Sequence, residues 1–187
     1  MVRGKETKTA ALVLTAICLV AYVAMPLPLL QKVGICEDCS ILARFAYPFF
    51  HASFIHMAIN CWCLLSVVFI YDTPRSYLII AYIIAISFPV GTLSAIVPDA
   101  FPSAIPTVGL SGIDYALLGM VSFQVKRKLY YHAWILSFVF ILLIFNHLCF
   151  LCGYSVATPN NLLHIYCYVA GLLVGFLNSP AHGQAGA

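Results

Sequence analysis

Six long apolar stretches, separated by short polar segments, constrain this chain more than any other feature of its sequence. They cover, approximately, residues 9–30, 50–71, 76–98, 111–125, 131–152 and 161–178. A helix needs about 20 apolar residues to cross the ~30 Å hydrocarbon core of a bilayer. With 63% hydrophobic and only 8% charged residues, these 187 residues cannot hide their apolar surface in a water-soluble fold. The predicted fold class is an all-α membrane protein, a bundle of six transmembrane helices with a short central fourth helix.

The positions of the basic residues predict the orientation of this bundle. If the N-terminus is cytoplasmic, the inner segments hold seven basic residues: Arg3, Lys5, Lys8, Arg75, Lys126, Arg127 and Lys128. The outer segments hold only Lys32 and Arg44. Such a bias is typical of cytoplasmic loops. We therefore predict a cytoplasmic segment over 1–8, one six-span domain over 9–178 and a flexible cytoplasmic tail over 179–187. The expected location is a bacterial cell membrane.

The fourth stretch is unusually short. Only 15 residues separate Ser111 from the basic residues that begin at Lys126, which corresponds to roughly 22 Å of helix. The preceding loop contains Pro98, Pro102 and Pro106 and cannot form a continuous helix. Irregular backbone at membrane depth is tolerated only where it is buried in protein or lines a watery cavity. The sequence therefore predicts a wet cavity with the N-terminus of this helix at its floor.

Ser111 stands between two glycines at this helix start, in the sequence "GLSG". Gly109 and Gly112 permit unusual dihedral angles and close approach of the backbone around the hydroxyl. The free N–H groups and the dipole of a helix N-terminus suit a developing negative charge. A serine in a membrane helix can also simply pack or bond back to a carbonyl, so the hydroxyl needs a base before it suggests catalysis.

Histidines and an asparagine supply candidates for that base and for hydrogen-bond donors. His51, His56 and Asn60 lie on the second stretch, with His56 and Asn60 one helical turn apart. His164 begins the sixth stretch. Polar side chains at this depth are costly, and they point to a cavity or to a partner on another helix. The His–Asn pair could alternatively do no more than join neighbouring helices.

Small residues predict how the sixth stretch packs. Gly171 and Gly175 form a small-xxx-small stripe of the kind that lets membrane helices approach closely. Gly112 and Gly119 give the fourth stretch a matching smooth surface. We therefore expect the helix that carries His164 to pack against the helix that carries Ser111.

Three motifs, in order along the chain, resemble those of the rhomboid family of intramembrane serine proteases. They are "HASFIHMAIN" on the second stretch, "GLSG" followed by "YALLG" on the fourth, and a histidine ahead of GxxxG on the sixth. The resemblance covers all six stretches and implies a rhomboid-like bundle that cleaves peptide bonds in or near transmembrane helices. It implies transmembrane protein substrates within a lipid bilayer, no nucleic-acid partner, no cofactor and no metal.

The resemblance also implies the roles of the site residues. Ser111 would be the nucleophile and His164 the general base of a dyad, and His56, Asn60 and the Ser111 backbone N–H would form the oxyanion hole. Tyr115 would pack against the base, and the supporting set would include Gly109, Gly112 and His51. The loop over 153–160 would cap the site, and the fifth span would move to admit substrate from the lipid.

One position departs from the family pattern. The family histidine stands three residues before the first glycine of GxxxG, where this chain has Tyr168, and His164 lies four residues earlier. Four residues shift a side chain by about 6 Å along a helix and by about 40° around it. His164 therefore stays on nearly the same face and remains the predicted base. The alternative is a catalytically inactive rhomboid-like protein that binds membrane clients.

Two further interpretations stay open from the residues alone. The pairs Cys36–Cys39 and Cys149–Cys152 have CxxC spacing, which is typical of zinc sites and of disulfides. The intramembrane His, Asn and Asp114 could also line the proton or ion path of a small transporter. Transporters more often contain inverted repeats with paired broken helices, and this sequence shows none.

Overall fold

The computed structural model describes residues 3–25, 32–36, 39–71, 73–90, 107–152 and 160–179. Several sequence expectations lie outside these ranges: the end of the first apolar stretch, the proline-rich loop before Gly109, the capping loop over 153–159 and the tail from residue 180.

The described ranges are helical, which confirms the predicted all-α class. Within these ranges the helices are α1 (Arg3–Ala24), α2 (Ile41–Ala46), α3 (Phe54–Ile70), α4 (Arg75–Ile86), α5 (Ser111–Val121), α6 (Lys128–Leu151) and α7 (Asn161–Leu177), with 3₁₀ turns at Tyr47–Phe49 and Ser122–Gln124. Within the described ranges, extended pairing is limited to one antiparallel bridge between Ile35 and Thr107.

The lengths of the described helices leave the six-span arrangement a prediction. Lys5–Ala24 is long and apolar enough to cross a bilayer, and Ile41–Phe49 with Phe54–Ile70 qualifies as a second span only if a bend of 81° is allowed. Arg75–Ile86 and Asn161–Leu177 are apolar but shorter. The first helix starts at Arg3, earlier than the predicted residue 9, and Glu6 in its first turn interacts favourably with the helix dipole.

Side-chain caps fix where α3 and α7 begin. The Ser53 hydroxyl accepts a hydrogen bond from the His56 backbone N–H at 3.2 Å, and the Asn160 side chain accepts one from the Leu163 N–H at 2.9 Å. Both satisfy a donor that a first helical turn leaves without a carbonyl partner. Helix α5 has no such side-chain cap, so its N-terminus remains open for another acceptor.

Helix α5 lies at the centre of the fold. It is 11 residues long, and its buried positions cover every side of the helix. A Cβ added at Gly171 would collide with the Ala116 carbonyl oxygen, and one added at Gly175 would lie 2.6 Å from the Met120 carbonyl oxygen. The backbones of α5 and α7 are therefore in direct contact, and only glycine fits at these two positions of α7.

The segment before α3 is anchored to the end of α4. The Tyr47 hydroxyl donates to the Ala85 carbonyl oxygen at 2.9 Å, and the Arg44 guanidinium donates to the Phe88 carbonyl oxygen at 2.7 Å. The Tyr47 carbonyl in turn accepts a bond from the Gly109 N–H at 3.0 Å. These bonds fix the chain that leads to His51 relative to the chain that leads to Ser111.

Candidate active site

The Ser111 side chain stands at the open N-terminus of the buried helix α5. Gly109, two residues earlier, has φ +119°, a conformation that L side chains rarely adopt. This turn brings the chain into the helix so that Ser111 is its first residue. The serine hydroxyl thus lies beside N–H groups that have no carbonyl partner within the helix.

His164 meets Ser111 directly. The Nε2 atom of His164 and the Oγ atom of Ser111 are 2.9 Å apart, within hydrogen-bond distance. His164 is only 6% exposed, while Ser111 is half-buried. A serine is activated when a base lies within hydrogen-bond reach. The arrangement places Nε2 where it can accept the hydroxyl proton, in the tautomer that carries its own proton on Nδ1.

The ring of His164 is held by stacking on Tyr115. The two ring centroids are 4.4 Å apart and the planes are tilted by only 17°. Within the described residues, the buried Nδ1 atom of His164 has no hydrogen-bond partner. No acidic side chain of the described part therefore orients this histidine, and the aromatic face of Tyr115 is its principal support.

A second group of polar side chains packs against Gly109. A Cβ at Gly109 would be 2.8 Å from His56 Cε1 and 3.0 Å from Asn60 Nδ2, so both side chains lie directly against this backbone. The Asn60 amide and His51 Nε2 are 3.2 Å apart, and the His51 and His56 rings form an edge contact with centroids 5.1 Å apart. The side chains predicted to stabilise an oxyanion, His56 and Asn60, are thus brought together against Gly109, two residues before Ser111.

His51 links this group to the start of α5. Its Nε2 atom also accepts a hydrogen bond from the Leu110 N–H at 3.4 Å. Because Nε2 accepts, the Asn60 amide nitrogen must be the donor between these two side chains. His51 is 2% exposed and fixes the orientation of Asn60, leaving a second amide hydrogen for another acceptor.

Gly112 and the glycines of α7 make close approach possible at the base of the site. A Cβ added at Gly112 would lie 3.2 Å from the Tyr47 hydroxyl and 3.4 Å from Cys167 Sγ. Gly171 and Gly175 bring α7 onto α5, as described above. His164 reaches Ser111 because these two helices touch through their backbones.

Asn160 and Thr107, which the sequence motifs do not include, also position His164. Asn160 caps α7, and its amide also donates to the Thr107 hydroxyl at 3.1 Å. This bond ties the start of the His164 helix to the segment just before Ser111. An asparagine directly ahead of an apolar helical run is a typical N-cap signal, so Asn160 could have been found. The bond to Thr107 depends on the fold and has no sequence signature.

Tyr168 occupies the position where the resembled family has its histidine. Its hydroxyl lies 2.5 Å from His132 Nδ1, which joins α7 to α6. The Tyr168 hydroxyl therefore bonds to His132 and not to Ser111. His164, one turn earlier on α7, makes the contact with Ser111. In the fold, His164 lies beside the N-terminus of the short helix α5, where Ser111 is the first residue.

Asp114 and the cysteines whose side chains the structure describes form no recognisable binding site. Asp114 is 3% exposed, and neither of its carboxylate oxygens has a hydrogen-bond partner among the described residues. Cys39 and Cys152 are free thiols, and the Cys149 side chain lies outside the described set. Across the described ranges, no group of three or more His, Cys, Asp or Glu residues could hold a metal ion.

The geometry as a whole suits acyl transfer. A hydroxyl with a base at 2.9 Å can attack a carbonyl, and donors from a helix N-terminus and a neighbouring amide can stabilise the resulting oxyanion. A metal-independent hydrolysis by a covalent acyl intermediate needs these two components and a path for water.

A comparison with known protein families finds a match over most of the chain. The family model described as Rhomboid domain matches residues 39–181, which is well over half of the chain. No curated protein shows a significant match to the sequence. The match begins just before α2 and includes every residue of the site described above.

Proposed function

This chain belongs to the rhomboid family of integral membrane proteins, and from that premise we propose that it is an intramembrane serine endopeptidase. The observation that carries the proposal is the 2.9 Å contact between Ser111 Oγ and His164 Nε2. Rhomboid-family proteins are in general serine proteases that act on transmembrane substrates. Because Ser111 and His164 are in contact at the start of α5, we favour a catalytically active protein over an inactive rhomboid-like protein that binds membrane clients.

The first half of the reaction is acylation. Ser111 Oγ attacks the carbonyl carbon of the scissile peptide, while His164 Nε2 accepts the hydroxyl proton. The oxygen of the tetrahedral intermediate becomes negatively charged and is stabilised by the Ser111 backbone N–H and by the side chains of His56 and Asn60. His164 then donates its proton to the leaving amine, and the peptide C–N bond breaks to leave an acyl-serine.

The second half is deacylation by water. His164 accepts a proton from a water molecule, which attacks the acyl carbonyl, and the same donors stabilise the second oxyanion. His164 returns the proton to Ser111 Oγ as the ester bond breaks. Tyr115 keeps the imidazole plane aligned through both halves, because its stacked ring limits rotation of His164. The two steps need no metal or cofactor.

The proposed substrates are transmembrane segments of other proteins. An α-helix hides its carbonyls in its own hydrogen bonds, so a segment must unwind before a carbonyl reaches Ser111. Small or helix-breaking residues near the cut would lower that cost. We place the site toward the outer membrane face with both termini cytoplasmic, since the basic residues are concentrated in the segments assigned to the inside.

A cleavage assay tests the proposal. The protein is reconstituted in vesicles with a pool of single-span peptides, and products are identified by mass spectrometry. We expect cleavage by the wild type and a loss of at least about 10³-fold in Ser111→Ala. The matched control is Ser122→Ala, because Ser122 is a buried serine whose hydroxyl has no partner among the described residues. Equal cleavage by Ser111→Ala would refute the assignment, and folded but inactive wild type would favour client binding.

A further inference from the structure

A groove of about 920 Å³ lies between α1 and α4 and reaches α5. Its walls are apolar side chains of α1 and α4, among them Leu14 and Ile79, and Ile113 of α5 forms part of its floor. Leu78 and Ile113 are buried within it, whereas Ile79 is 53% exposed. This part of the groove is therefore apolar, and it is open on the side of the exposed Ile79, where lipid would lie.

One end of the groove is charged. Lys5 and Glu6 from the first turn of α1 and Arg75 from the first residue of α4 line it there. Two cations and one anion give this end a net positive charge. Helix α4 also starts without a side-chain cap, so its N–H groups and its dipole add to the attraction for an anion.

Two aromatic rings line the opposite end of the groove. Phe49 and Tyr82 both line the groove, with ring centroids 6.0 Å apart, and the Tyr82 hydroxyl is fixed by a 2.9 Å bond to the Phe45 carbonyl oxygen. From Lys5 to Leu14 the helix rises by about 14 Å. That is close to half of the ~30 Å hydrocarbon core, which is the depth of a single lipid leaflet.

We propose that this groove binds one anionic phospholipid from the leaflet on the Lys5 and Arg75 side of the membrane. The phosphate lies between these two cations, and the acyl chains lie along Leu14 and Ile79 toward the Phe49–Tyr82 end. Basic pockets between transmembrane helices are suited to acidic head groups. A transmembrane helix would need a groove that crosses both leaflets, whereas this one ends midway and matches the length of a lipid.

The proposed lipid would contact the support of the active site. Ile113 is two residues after Ser111 on α5, and Phe49 is two residues before His51. A lipid in the groove fills space behind the helix that carries the nucleophile. The lipid site does not depend on the proposed protease activity, because it rests on residues outside the dyad.

The charged end is tested by counting bound lipid. The full chain is purified in mild detergent, mixed with phosphatidylglycerol or phosphatidylcholine, and examined by native mass spectrometry. We expect the wild type to retain phosphatidylglycerol preferentially. Lys5→Gln with Arg75→Gln should weaken this binding by roughly thirtyfold, the equivalent of about 1 kcal/mol for each basic residue.

The matched control removes one lysine and one arginine from the same predicted membrane face. Lys126 and Arg127 are exposed and do not line the groove, so Lys126→Gln with Arg127→Gln should retain phosphatidylglycerol like the wild type. Equal losses in the two double variants would overturn the proposal, since they would indicate attraction to the basic face in general. Equal retention of both lipids by the wild type would also overturn it.

The apolar part is tested by filling the groove. Ile79→Trp should displace the acyl chains and lower phosphatidylglycerol retention, while Ile83→Trp, one turn further along α4 and equally exposed at 53%, should not. Ile83 does not line the groove. Thermal unfolding of each variant without added lipid identifies loss of the fold. A folded Ile79→Trp variant with undiminished lipid binding would contradict the assignment.

Discussion

At the scale of single residues, the orientation of His164 rests on an aromatic ring where many serine hydrolases use a carboxylate. Tyr115 stacks on the imidazole at 4.4 Å, and in the described part of the chain Nδ1 has no hydrogen-bond partner. The spacing of Ser111 and Tyr115 places both on one helical face, so their proximity could be predicted from the sequence. The stacking angle could not, because it depends on where α7 lies.

The Tyr115 ring, and not its hydroxyl, should matter for the reaction. Tyr115→Phe keeps the stacking surface and should leave the rate of serine modification near the wild-type value. Tyr115→Ala removes a contact worth about 0.5–1.5 kcal/mol, so the rate should fall by up to about tenfold. The measurement is the rate of labelling by a serine-reactive probe, with thermal unfolding as a check on the fold. A slow Phe variant, or a fast Ala variant, would contradict this role.

At the scale of helices, the contact between α5 and α7 determines whether the two halves of the dyad meet. The small-xxx-small stripe on α7 is visible in the sequence, and the structure brings it against Ala116 and Met120. The displaced His164 could be retained as the base because four residues return almost to the same helical face. The start of α3 was less predictable: the apolar stretch was predicted from residue 50, whereas the helix begins at Phe54, after a 3₁₀ turn at Tyr47–Phe49 and a bend of 81°.

A side chain at position 171 should separate these helices. In Gly171→Leu the added atoms meet the Ala116 carbonyl oxygen, and overpacking of this kind costs about 1–3 kcal/mol or more. We expect a lower thermal unfolding midpoint in detergent and loss of serine labelling.

The control is a substitution on the lipid-facing side of the same helix. Leu173 is 61% exposed, so Leu173→Ala should change neither the midpoint nor the labelling substantially. If Gly171→Leu unfolded at the wild-type temperature and were labelled normally, the backbone contact would not be the determinant of the site.

At the scale of the whole molecule, hydropathy predicted the helical class of this protein, while the number of spans stays a prediction. Apolar runs require a membrane environment, and large exposed side chains such as Val20, Ile70 and Leu129 agree with lipid contact. Run length alone could not show that α4 ends at Ile86 or that a groove opens between α1 and α4. Both depend on packing between segments that are distant in sequence.

The most direct test of the account is covalent labelling of the purified, folded protein with a fluorophosphonate probe, followed by mass spectrometry of the modified peptide. The account predicts an adduct on Ser111, which is absent in Ser111→Ala and lost in His164→Ala. Tyr168→Phe, which alters the residue at the usual family position of the histidine, should still be labelled. An unlabelled wild type with an intact fold, or a His164→Ala variant labelled at the wild-type rate, would contradict the Ser111–His164 dyad.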